Sequence, residues 1–246
     1  MRSATTTTTT TTTTRAASLL GVFFDLDNTL IDRQTACDGY FIELRRRFPD
    51  ALAAPDALDA LHRIDDAGLT DRRIFCAEVV RRFPALGMSA AAFWEDFADG
   101  LVAATVPCAP AMIAELRACA TRFKLAVVTN GSGTRQRAKL ARAGLASLFT
   151  DEQLVISAEV GAAKPDPRIF QLALQRAGLA ADRVLFVGDD PVRDIGGARA
   201  AGLHTCWVAH DRSFPASMPP PDLVVRRLAD LLAQLGPPRT TTRGGS

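Results

Sequence analysis

Three apolar runs constrain this chain more than any other feature: LLGVFFDLD over 19–27, FKLAVVTNGSG over 123–133 and RVLFVGDD over 183–190. Each is continuously apolar rather than alternating, and each ends on polar residues. A strand with one wet face alternates, whereas a continuous run is buried on both faces, as in a parallel sheet covered by helices. LVISAEV (154–160), HTCWVAH (204–210) and DLVV (222–225) read as further, weaker strands. Helical patterns follow the strands and close on a repeated device, RAGL at 142–145 and 176–179 and AAGL at 200–203. There Gly takes the left-handed position after a helix and Leu makes the accompanying apolar contact. In KPDPRIF, Asp166 reads as an N-cap and Pro167 as the first helical residue. Strand, helix, Gly-Leu and strand again predicts an α/β fold built on a doubly wound parallel sheet.

The stretch 33–106 breaks this rhythm. It is rich in Ala, Arg, Asp and Phe at helical spacing and offers no convincing strand, so it reads as an inserted helical domain that returns near Pro107 and Pro110. The expected organisation is a disordered Thr-rich tail (1–17), a core built from 18–32 and 107–235, the helical insertion (33–106) and a second disordered tail (236–246). A chain of 246 residues, 48% hydrophobic, suffices for a large core with a smaller satellite. The net charge of +2 gives no electrostatic footprint for nucleic acid or an anionic membrane. No apolar run approaches a membrane span, and the first residues lack the apolar segment of a signal peptide. The cysteines (Cys37, Cys76, Cys108, Cys119, Cys206) form no C-x-x-C pair, which points to reduced, mostly buried thiols and a cytoplasmic protein.

In open parallel sheets, ligands bind outside the carboxyl ends of the strands. Four polar clusters fall at or just after such ends: Asp25 with Asp27, Thr129 to Gly131, Lys164, and Asp189 with Asp190 followed by Asp194. Gathered carboxylates repel and need a compensating cation. Oxygen ligands in a compact site suit Mg²⁺, which takes one or two carboxylates plus a phosphate. Lys164 adds positive charge, and the hydroxyl and amides of Thr129 to Gly131 suit an anion. Together they fit a phosphate ester.

DLDNTL, TNG, KPDP and GDDPVRD, in that order, resemble the four motifs of the haloacid dehalogenase-like (HAD) hydrolases. The resemblance covers roughly residues 18–232, and the insertion after the first motif resembles the C1 helical cap of subfamily I, phosphatase branch, on a Rossmann-like core. It implies that Asp25 is the nucleophile and becomes an aspartyl-phosphate. Asp27 would be the general acid for the leaving alcohol, then the base for water. Thr129 and Asn130 would bind phosphoryl oxygens, and Lys164 would offset the charge on Asp25 and the phosphoryl group. Asp25, Asp27 (through its carbonyl) and Asp189 would hold Mg²⁺. Asp190 and Asp194 would act through water or by orienting ligands and Lys164. The implied partner is a small phosphorylated metabolite, with no nucleic acid and no membrane.

Other features carry less chemistry. GSGTRQ lacks the third glycine of a dinucleotide fingerprint, having Gln136 there, and no Walker-type loop occurs. His62, His204 and His210 have no metal-ligand spacing, and the arginines at 45–47 read as a solvated helix face. Three alternatives share the fold: a metal-independent 2-haloacid dehalogenase, which in the family lacks the second aspartate; a phosphomutase; and a catalytically idle scaffold that binds or regulates. Phe41, Arg45, Arg46, Arg72, Arg73, Phe75 and Trp94 are candidate lining groups of the insertion.

Overall fold

The computed structural model describes residues 19–235, so the expectations for both tails lie outside the described residues. The sheet contains β1 (Gly21–Phe24), β2 (Lys124–Thr129), β3 (Leu154–Ile156), β4 (Val184–Gly188), β5 (His204–Val208) and β6 (Leu223–Val225) in the order β3-β2-β1-β4-β5-β6. Every pairing is parallel, with Phe24 level with Val127 on one side and Val187 on the other. The continuous apolar runs have the cause inferred for them. Val22, Phe24, Val127 and Val187 pack on one face, and Phe23, Ala126, Val128 and Phe186 on the other. The chain leaves β1 toward β2 and β3, then crosses back to β4 on the opposite side. The carboxyl end of β1 is therefore the switch point where the crevice of such a sheet opens.

Chain segments shorten where the sheet offers no partner. The first run keeps only Gly21–Phe24 as strand, because Leu26 O accepts from the amides of Thr29, Leu30 and Ile31 and turns the chain. LVISAEV is strand only to Ile156. Beyond it β2 has ended, the Ser157 hydroxyl accepts from Gly131 N at 3.0 Å, and Ser157–Val160 forms one helical turn.

Between β1 and β2 lie α1 (Arg33–Arg47), α2 (Ala57–Asp65), α3 (Arg72–Arg82), α4 (Ala90–Ala104) and α5 (Pro110–Ala120). Asp32 caps α1 by accepting from Thr35 N, and Asp71 caps α3 through Arg73 N. The first four helices share an apolar cluster in which Phe41, Phe75, Phe93 and Phe97 are buried. Phe93 and Phe97 stack at 6.0 Å, and Phe75 meets Phe97 at 4.8 Å. Helix α5 instead packs Leu116 and Cys119 on the sheet with α8 (Leu228–Leu235). Helices α6 (Gly133–Arg142) and α7 (Pro167–Ala177) follow β2 and the Lys164 segment, and α7 is capped by Asp166 accepting from Arg168 N. Gly144 and Gly178 follow them with φ of 76° and 62°, the left-handed positions that the RAGL device requires. No helix among the described residues is long and apolar enough to cross a membrane, and all five cysteines are free.

Phe93 is fully buried in the insertion and does not reach the site cavity. Phe93→Ala is expected to lower unfolding free energy by about 3–5 kcal/mol. Urea denaturation checks this, and an unchanged midpoint would mean that the aromatic cluster does not hold the insertion together.

Candidate active site

The site forms where β1, β2 and β4 end together. Asp25 follows β1 directly, and its amide donates to Val187 O at 2.9 Å, so β4 fixes its height. Thr129 closes β2 and is 1% exposed. Asn130 makes a two-way clamp on the Lys164 main chain: Lys164 N donates to Asn130 Oδ1 at 2.8 Å, and Asn130 Nδ2 donates to Lys164 O at 2.9 Å. Lys164 Nζ donates to Asp25 Oδ1 at 2.5 Å and to Asp194 Oδ1 at 2.6 Å.

After β4 the chain turns through a π-helical segment, Pro191–Gly196. Insertions of this kind re-aim side chains and recur at functional sites. Asp190 caps the segment by accepting from Val192 N and Arg193 N, each at 2.8 Å. Its carboxylate is thus spent on local backbone and on Arg193 at 2.5 Å. Asp194 points back, its Oδ2 accepting from Asp190 N at 3.0 Å. A Cβ added to Gly188 would meet the Asp194 carboxylate at 2.4 Å, so that approach depends on glycine. Asp189 is held by Arg212, which donates to its Oδ2 at 2.9 Å and its main-chain oxygen at 2.8 Å. Trp207 Nε1 donates to the same main-chain oxygen at 2.8 Å.

The buried carboxylates of Asp25, Asp189 and Asp194 bring one oxygen each within 4.8 Å of one another. Burial, reinforced by the neighbouring carboxylates and opposed by Lys164, holds the Asp25 carboxyl well above its ordinary range. Burial with Asp194 nearby pushes Asp189 up to about 7. Burial disfavours the Lys164 charge, but Asp194 and Asp25 outweigh it and hold the ammonium above the usual lysine range. Lys164 and Arg212 together do not balance three carboxylates, and oxygen-only donors at this spacing fit a hard divalent cation.

Asp27 sits apart from this trio. Lys139 Nζ donates to its two oxygens at 2.7 and 2.9 Å, and Gln136 Nε2 donates to Oδ2 at 3.1 Å. Burial would raise the Asp27 carboxyl, but the Lys139 ammonium outweighs it and holds the group below the usual range. The eight predicted positions, Asp25, Asp27, Thr129, Asn130, Lys164, Asp189, Asp190 and Asp194, all line one cavity of about 480 Å³.

The chain matches the haloacid dehalogenase-like hydrolases over residues 19–202. It belongs to that family. Phosphoserine phosphatase of Thermus thermophilus is 43% identical over 127 residues, 51% of this chain and 49% of that protein. (S)-2-haloacid dehalogenase 2 of a Pseudomonas species is 32% identical over 108 residues, 44% of this chain and 46% of that protein. The chain spans about half the length of these curated relatives. The crystal structure of the HAD-hydrolase YfnB of Bacillus subtilis, bound to magnesium, aligns with a TM-score of 0.69 at 26% identity, covering 88% of this chain and 98% of that one.

In this HAD-like hydrolase the insertion closes one side of the cavity. Arg72, Phe75 and Trp94 line it, with the Arg72 guanidinium 4.8 Å from the Trp94 ring centre. Phe41 does not line it, being fully buried in the insertion core, and Arg45, Arg46 and Arg73 also lie outside it. The sequence reading missed Arg33, Asp65, Phe97, Arg135, Gln136, Lys139 and Arg193 as lining residues. Arg33 and Asp65 form a pair at 2.6 and 2.7 Å, and Arg135 reaches Asp99 at 2.7 Å and Glu95 at 2.5 Å. His62 pairs with Asp38 at 3.3 Å, and His210 Nε2 lies 2.6 Å from Asn28 O.

The raised Asp189 carboxyl sets a pH dependence. A raised folded value adds stability that is complete below the unfolded value of 3.8 and is lost as pH rises through about 7. In metal-free buffer, melting temperatures of the wild type should therefore fall relative to Asp189→Asn between pH 4.5 and 8. Parallel curves for the two proteins would show that Asp189 is not desolvated as described.

Proposed function

We propose that this protein hydrolyses a small-molecule phosphate monoester with the help of Mg²⁺, through an aspartyl-phosphate at Asp25. The observation that carries this reading is a pair of carboxylates two residues apart whose surroundings drive them in opposite directions. Asp25 sits among acids with Lys164 between, and Asp27 sits against Lys139. Two titratable groups pushed apart in one cavity mark a division of labour between nucleophile and proton carrier.

Asp25, Asp189 and the Asp27 carbonyl would hold the ion, with Asp194 nearby. When bound, Mg²⁺ supplies the charge that lets the crowded carboxylates ionise together and draws electron density from the phosphoryl oxygens. The protein groups then act in sequence. An Asp25 oxygen attacks phosphorus while the bond to the ester oxygen breaks. That oxygen takes a proton from Asp27. Water next attacks phosphorus, gives its proton to Asp27, and phosphate leaves with Asp25 restored. Lys139 favours the ionised form of Asp27 in the resting site; the negative charge of an arriving phosphoryl group raises it, and Asp27 takes up from solvent the proton that it then passes to the leaving oxygen. The Thr129 hydroxyl and the Asn130 amide bind phosphoryl oxygens, and Lys164 offsets their charge. The insertion serves as a cap that excludes water and selects the leaving group through Arg72, Phe75 and Trp94.

The name of the Thermus relative supports a small phosphorylated metabolite, and the Pseudomonas relative keeps haloacid dehalogenation as the competing reading. Asp27 weighs against dehalogenation, because attack on carbon needs no proton for the departing halide.

Inorganic phosphate should be released from a panel of phosphate esters with Mg²⁺ and not with EDTA. Asp25→Asn should reduce release at least about 1,000-fold while its circular dichroism is unchanged. Halide release from 2-haloacids in EDTA, with no phosphate from any ester, would replace the phosphatase by the dehalogenase. A second comparison concerns the metal: Asp189→Asn should raise the Mg²⁺ concentration for half-maximal rate at least about tenfold. An unchanged metal titration would move the ligand role to Asp194.

A further inference from the structure

We infer that Lys139 and Gln136 are positioning residues that aim the Asp27 carboxyl at the leaving oxygen. This rests on the phosphatase reading above and goes beyond it, because neither residue belongs to the four motifs.

Both side chains lie on one face of α6, three residues apart, and both are buried, at 2% exposure for Gln136 and 8% for Lys139. The buried face of a helix on a sheet ordinarily takes apolar residues, as Leu140 does here. A buried lysine is costly unless its charge is met, and the Lys139 ammonium donates to the two oxygens of Asp27. Gln136 Nε2 adds a bond to one of those oxygens. It also donates to Thr129 Oγ1 at 2.7 Å and lies 3.3 Å from Asn130 O. One amide thereby ties the proton carrier to the residues proposed to hold the phosphoryl group. The hydrogen bonds of the turn around Asp27, to Leu26 O and through Asn28, hold its backbone rather than its carboxylate. Asp27 lies beyond β1, next to Asn28 with a φ of 57°, and its backbone forms an isolated bridge with Ile31. A carboxyl on such a turn has rotamer freedom, and α6 removes it. Placement within about 0.5 Å is what proton transfer in the transition state demands.

A leaving-group comparison tests this. Two aryl esters of similar shape serve as probes: p-nitrophenyl phosphate, whose leaving group departs as a stable anion, and phenyl phosphate, whose leaving group gains more from a proton. The reading is kcat/KM, which reports transfer to Asp25 and not the later attack of water. Lys139→Met should lower kcat/KM about 100-fold on phenyl phosphate and less than about threefold on p-nitrophenyl phosphate. Gln136→Met should show the same selectivity at a smaller size. Lys139→Arg, whose guanidinium can meet both Asp27 oxygens, should stay within about threefold of wild type on both esters. Should Lys139→Met fail to fold, the Gln136→Met and Lys139→Arg proteins carry the same comparison. Equal losses on the two esters, or no loss, overturn the positioning role while leaving the phosphatase reading intact. A wild-type protein that releases phosphate from neither ester overturns the phosphatase reading, and the positioning role with it.

Discussion

The structure depends on one buried ammonium. Lys164 touches Asp25 at the end of β1 and Asp194 on the turn after β4, 139 and 30 residues away in sequence. Without it, two carboxylates with almost no solvent access would face each other uncompensated, a cost that breaks marginal proteins. Its main chain is not left to find that place unaided. Asn130, at the end of β2, grips the Lys164 amide and carbonyl together. Three strand ends are thus bound into one site by a residue that belongs to none of them. The central place of β1 makes this possible, because only its carboxyl end has β2 on one side and β4 on the other.

The insertion is joined to this site by polar contacts rather than by a shared core. Its apolar cluster is separate from the clusters on the sheet. Arg193, next to Asp194, donates to the Gly68 and Leu69 carbonyls at 2.9 and 3.0 Å. Asn28, next to Asp27, donates to Ala67 O at 2.9 Å. Arg135 on α6 reaches Glu95 and Asp99 on α4. The segment that receives these bonds holds Asp66, Ala67 and Gly68 in left-handed conformations, at φ of 48°, 54° and 87°. A non-glycine residue persists there only when its surroundings fix it. Contacts of this kind exchange with water at modest cost, unlike a common hydrophobic core, which is consistent with the cap role proposed for the insertion.

The parallel sheet was legible because two-sided burial leaves an unmistakable trace in Phe23–Phe24, Ala126–Val128 and Leu185–Val187. The convergence of Asp25, Thr129 and Asp189 followed from strand ends, whereas Lys164 and Asp194 reach the site through the Asn130 clamp and the turn after β4. Strand lengths did not, because they depend on neighbours: Ser157–Val160 is apolar enough for a strand, but β2 has already stopped beside it. The resemblance implied a direct metal role for Asp189 and an outer one for Asp190, but the sequence held no physical reason for the difference. The turn supplies it: Asp190 caps backbone amides, while Asp189 brings an oxygen beside those of Asp25 and Asp194. Gln136 entered the sequence reading merely as a glycine that a dinucleotide site would have required. The signal for its place, a Gln and a Lys three apart beside Leu140 on the inward face of α6, was present. It had no meaning until Asp27 was known to lie opposite.

The two aspartates after β1 show how a fold assigns different work to the same side chain. Asp25 shares one lysine with Asp194 and lies near Asp189, so acids outnumber cations around it. Asp27 has Lys139 on both its oxygens and a share of the Gln136 amide, so its surroundings favour the ionised form. The turn that begins at Leu26 creates this difference by directing the second carboxylate toward α6 and away from the π-helical segment. The state of each carboxyl therefore depends on its burial and on the charges around it, which the two-residue spacing alone does not fix.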